Sequence, residues 1–168
     1  MCSINSWSFA HVTDGYSESI PIMKERGALK KLVDLLTASC FVNQSVHIPA
    51  IHTVGNLLAG NDEQTDLIIS YGVLQQFSIL LLLQRSEKDV VWAISNITAG
   101  TEEQIQAVVD TNLIFPQLIH IISSEYEVAL KREAIWVFKN ALDGGTLLCM
   151  NIRTIVRSLR LPLKYLDI

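Results

Sequence analysis

A tryptophan and an asparagine four residues apart occur twice in this chain of 168 residues, as Trp92 with Asn96 and as Trp136 with Asn140. Four residues is close to one helical turn, so each pair would set a flat apolar ring beside an amide on a single helix face. The ring face attracts an ammonium or guanidinium for about 0.5 to 2 kcal/mol, and the aliphatic stem of Lys or Arg can lie against the ring. The amide carries donors and an acceptor, which suits it to the backbone of an extended chain. Asn56 adds a third amide, and Asp62, Asp89 and Glu133 add carboxylates at the edge of the same line. Together these residue types describe a slot for a cationic, extended segment. A lone helical tryptophan is more often a core residue. A core, however, has no use for an amide at a fixed offset, so the repetition favours binding.

The pairs belong to a longer pattern. WAISNITAG at 92–100 is echoed by IWVFKNALDGG around Trp136, by HTVGNLLAG with His52 and Asn56, and by WSFAHVTDG with Trp7 and His11. From position 7 to 52, 52 to 92 and 92 to 136 the intervals are 45, 40 and 44 residues, the period of two- or three-helix solenoid repeats. The fold class expected is therefore all-α, with about three full units and two partial ends. Residues 1–15 read as the last helix of a unit, with Gly15 after Asp14 as its stop. SESIPIMKERG reads as a short helix with Pro21 in its first turn, ending at Gly27. Ala28 to Leu36 follows as a second helix, with Leu29, Leu32, Val33, Leu35 and Leu36 as its apolar stripe. Thr37 to Ser45 is expected to be a connection, and a third helix from Val46 to Ala59 requires Pro49 near its start. The next unit is NDEQTDLIISYG, VLQQFSILLLL and EKDVVWAISNITAG, with a short connection around Arg85 to Lys88. The one after is TEEQIQAVVDTN, LIFPQLIHIIS and EYEVALKREAIWVFKNALDGG. The DEQ and EEQ starts put carboxylates where a helix dipole favours them.

Composition narrows the function. Hydrophobic residues make up 49% and charged residues 18%, an apolar balance that predicts self-association through faces lacking neighbours. Residues 1–146 carry nine Lys or Arg against sixteen Asp or Glu, whereas 147–168 carry four against one. An acidic body disfavours nucleic acid and favours basic ligands. The longest apolar run, Phe77 to Leu83, is broken by Ser78 and too short for a membrane span, and the first residues lack the pattern of a secretory signal. Cys2, Cys40 and Cys149 are odd in number and scattered, as expected of reduced thiols in cytosol or nucleus. His11, His47, His52 and His120 have no metal-ligand spacing, the glycines form no phosphate loop, and no nucleophilic set can be nominated, so neither metal nor cofactor nor enzymatic activity is expected. After Gly145 the repeat pattern fails, and residues 147–168 read as a separate tail. There Ile152, Ile155, Val156 and Leu159 stripe one helix, ending before Pro162, with Arg153, Arg157 and Arg160 outside the stripe. That helix is a candidate cap for the end of the stack.

The strings TVGNLLAGNDEQT at 53–65, WAISNITAGTEEQIQAVVD at 92–110 and KREAIWVFKNALDGGT at 131–146 resemble the armadillo repeats of the importin-α family, and HVTDG and GALKKLVDLL extend the match toward the N-terminus. The resemblance covers roughly residues 7 to 146, in a register similar to the family's fifth to eighth repeats. It implies a right-handed superhelical solenoid whose third helices line a concave groove for lysine- and arginine-rich nuclear localisation signals of cargo proteins. It also implies a cytoplasmic and nuclear location. The peptide-binding positions it carries over are Asp14, Gly15, Asn56, Asp62, Thr65, Asp89, Trp92, Ser95, Asn96, Glu133, Trp136 and Asn140. His52 stands where the family has Arg, which removes a fixed positive charge from the middle of the groove. No counterpart of the family's basic N-terminal segment is found, so direct importin-β binding is not expected. The alternative to cargo binding is a scaffold or regulatory module of the same fold.

Overall fold

The computed structural model describes residues 25–40 and 44–144. Among these, all regular elements are helices: α1 (Ala28–Cys40), α2 (Gln44–Leu58), α3 (Asp62–Ser70), α4 (Val73–Leu82), α5 (Glu87–Thr98), α6 (Glu102–Asp110), α7 (Ile114–Ser123) and α8 (Val128–Asp143). They recur in the expected order of short first, second and long third helix. The helix read at residues 1–15, most of the one read from Ser17 to Gly27, and the tail from 147 lie outside the described residues.

Local chemistry accounts for the breaks between helices. Asn61 caps α3 by accepting from the Gln64 amide at 2.9 Å, and Asp62 and Glu63 in the first turn complement the helix dipole. Thr101 and Gln104 form a reciprocal capping box at the start of α6. Gln104 does more than cap. Its Nε2 reaches back to the previous repeat, donating to the Asp62 carbonyl at 3.3 Å and to Asp66 Oδ1 at 2.8 Å. Between α3 and α4 the chain turns by 68° at Gly72, whose φ of +84° is accessible to glycine at little cost.

Two boundaries differ from expectation. α1 runs on through Thr37 to Cys40 instead of ending at Leu36, and Thr37 Oγ1 donates to Gln76 Oε1 of α4, so the extra turn is used in packing. Pro49 is not in the first turn. α2 begins at Gln44, so Pro49 falls in its interior, buried, where it cannot supply the helical N–H. Its own carbonyl accepts from Thr53 Oγ1 at 2.7 Å.

The helices stack as three ladders. Third helices α2, α5 and α8 pack in sequence, second helices α1, α4 and α7 do the same, and α3 packs on α6. One continuous core runs between them, from Leu29, Val33 and Leu36 through Ile51, Val54, Phe77, Leu80 and Ile94 to Val108, Leu118 and Phe138. At its far end Phe115 and Phe138 meet edge to face, with centroids 5.1 Å apart. Each repeat thus completes its neighbour's core, as in a quasi-one-dimensional solenoid.

Candidate functional site

The third-helix ladder decides where the ring and amide residues go. Trp92 on α5 lies directly on α2, because Gly55 leaves room for it: a Cβ at Gly55 would sit 2.2 Å from the indole Cζ3. The ring also faces His52, with centroids 5.7 Å apart and planes tilted by 40°. His52 Nε2 lies 3.1 Å from Asp89 Oδ1, one turn before Trp92, and the two side chains are 36% and 24% exposed. His52, Asp89 and Trp92 therefore form one cluster across α2 and α5.

The asparagines are partly committed to the scaffold. Asn96 Nδ2 donates to the Gly55 carbonyl at 3.1 Å, and Asn140 Nδ2 donates to the Ser95 carbonyl at 3.3 Å and to Thr98 Oγ1 at 3.4 Å. Each amide thus holds its helix to the preceding one at the same register. An amide has capacity for four hydrogen bonds, and these contacts engage the nitrogen of each. Asn56, at the same offset on α2, is half-buried.

Trp136 on α8 is the more open ring, 52% exposed. Lys139 Nζ stands 5.5 Å from its centroid and 2.8 Å from Asp143 Oδ2. Glu133, one turn before Trp136, is half-buried. Asp62 and Thr65 lie on α3 rather than on a third helix. With Asn96, Gln104, Leu58, Gly60 and Gly100 they line a cavity of about 260 Å³. Thr65 is buried there, donating to the Leu58 carbonyl at 3.2 Å, and Ser95 donates to the Trp92 carbonyl at 2.8 Å. Asp14 and Gly15 lie outside the described residues. Also on α2, buried His47 has its pKa lowered, chiefly by burial; a hydrogen bond with the Leu36 backbone and the charge of Asp89 oppose the shift, while Arg85 reinforces it.

Gly55, Gln104 and Lys139 were not singled out by sequence reasoning. The first had a signal: Gly55 and Ser95 are both small and both stand three residues after a ring residue. Among the described residues no group of three or more His, Cys, Asp or Glu could hold a metal ion, and no single helix is long and apolar enough to cross a membrane.

Three ladders of helices in three-helix units, with rings and amides along the third helix, define an armadillo-repeat solenoid. The fold is similar to a designed armadillo repeat protein solved in complex with the peptide (KR)4, with a TM-score of 0.78 and 26% identity, over 98% of this chain and 72% of that one. No family model matches the chain. Among curated proteins it is 40% identical over 113 residues to importin subunit alpha-1a of Oryza sativa subsp. japonica, covering 66% of this chain and 21% of that protein. It is 38% identical over 142 residues to importin subunit alpha-8 of Arabidopsis thaliana, covering 82% of this chain and 31% of that protein. The chain is an importin-α-like armadillo segment, and it spans between about a fifth and a third of the length of these relatives.

Proposed function

We propose that the third-helix ladder binds basic, extended peptide segments of the nuclear-localisation-signal class, in the manner of a nuclear import adaptor working in cytoplasm and nucleus. In this reading Trp92 and Trp136 hold the stems of Lys or Arg. Asn96 and Asn140 offer their amide oxygens to the peptide backbone, with Asn56 extending the row. Asp89, Glu133 and Asp62 attract the cations, and Thr65 and Ser95 shape the walls. No reaction is assigned to the site. The observation that carries the reading is at Trp136: the ring is exposed on the ladder and the chain's own Lys139 ammonium stands over it, the kind of contact that a ladder ring such as Trp92 would make with a basic ligand. The similarity to an armadillo protein solved with (KR)4 supports the same ligand chemistry.

Fluorescence polarisation with a labelled (KR)4 octapeptide tests it. With few seated cations the dissociation constant should be on the order of micromolar. It should weaken several-fold between about 50 and 200 mM salt, because partly exposed carboxylates attract through screened fields. Salt-independent binding, or none at about millimolar peptide, contradicts the proposal. A scaffold role is the second reading, favoured by the observation that Asn96 and Asn140 both donate to the neighbouring helix.

A further inference from the structure

The position three residues after each ladder ring is occupied by Gly55, Ser95 and Lys139 in turn. On α2 that position must be small, since the next repeat's indole rests on it. On α8 it carries a long cation. The i to i+3 spacing brings the Lys139 side chain back over Trp136, with Nζ 5.5 Å from the ring centroid, and Asp143 one turn further on holds the ammonium at 2.8 Å. Although Lys139 could extend into water, its side chain is only 33% exposed. We propose that Lys139 is an internal occupant of the Trp136 step: its ammonium fills the cation position of that ring, so the groove discriminates against a basic residue there and takes its strongest cation at the Trp92 step. This rests on the peptide-binding reading above.

A peptide cation arriving at Trp136 has to displace Lys139 from the ring and then share the space with a like charge. Both effects subtract from affinity for an uninterrupted basic peptide, and neither operates at Trp92. There the ring rests on Gly55 and faces His52, the latter beside Asp89. Lys139 is thus a specificity-determining residue, setting how many successive basic side chains are accepted.

Three measurements test the proposal. Lys139→Ser, which restores the residue type found at 95, should tighten (KR)4 binding about three- to tenfold, and Lys139→Gln should do so by a similar factor. In a Trp136→Ala background the same substitutions should give no comparable gain. An equal gain in both backgrounds would mean that only net charge had changed, and would overturn ring occupancy. In the parent, proton NMR should find the Lys139 side-chain methylenes shifted upfield by the indole ring current. The shift should be lost in Trp136→Ala and reduced when (KR)4 is added; an unshifted Lys139 overturns the proposal even if the peptide binds. If the parent binds (KR)4 and Lys139→Ser does not bind it more tightly, this inference fails and the peptide-binding reading stands. If neither folded protein binds, both fail.

Discussion

The smallest decisive feature is the missing side chain of Gly55. The indole of Trp92 takes the space that a Cβ would need, and the Gly55 carbonyl accepts from Asn96, so ring and amide of α5 are both anchored on one residue of α2. Relief would require moving an indole or the spacing between two packed helices, neither of which yields easily in a close-packed interior. Gly55→Ala should therefore destabilise the fold by about 1 to 3 kcal/mol despite the higher helix propensity of alanine. Urea unfolding followed by circular dichroism checks this, and an alanine variant as stable as the parent would show that the ring is not seated there. The pattern of ring and amide is readable in the chain because it recurs at a fixed offset. The seat is harder to read, because it depends on the distance between α2 and α5, which no residue states alone. Lys139 is obscure for a related reason: one lysine on a helix suggests a solvated surface until its ring partner and Asp143 are placed beside it.

At the scale of the element, α2 departs furthest from what its residues suggest. Periodicity identifies it as a third helix, since Ile51, Val54, Leu57 and Leu58 are all buried. Periodicity does not locate Pro49, whose interior position is tolerated because packing against α1 and α5 holds the helix on both sides. Nor does it show that α1 continues to Cys40, since Thr37 is polar and its use becomes apparent only with Gln76 of α4 opposite. Buried His47 gives α2 a pH dependence. Its pKa in the folded protein is lowered from the ordinary imidazole value of about 6.5, so on acidification the unfolded chain takes up the proton first. The stability associated with neutral His47 is complete above that value and declines as pH falls below it. The midpoint of urea unfolding should therefore drop between about pH 7.5 and pH 5, and drop less in a folded His47→Asn variant. An equal drop in both proteins would assign the acid sensitivity to other groups.

Across the whole molecule, three ladders convert a repeated sequence into a continuous surface. The caps at Asn61 and Thr101 recur at equivalent points, Gln104 ties α6 to α3, and Asn96 and Asn140 tie successive third helices at one register. This arrangement explains why the fold class was legible: each local signal appears more than once, and its copies are stacked. The row of ladder residue types was legible, whereas the commitment of each amide to the neighbouring helix was not, because that depends on contacts 41 and 45 residues apart. On the proposed reading, the rings on this surface bind basic peptide rather than merely pack. Its most direct test is polarisation titration of (KR)4 against the parent and against Trp92→Ala/Trp136→Ala, with circular dichroism confirming that the variant is helical. Micromolar binding by the parent and none detectable by the folded variant are expected; a folded double variant that binds as tightly as the parent would show that the rings only pack.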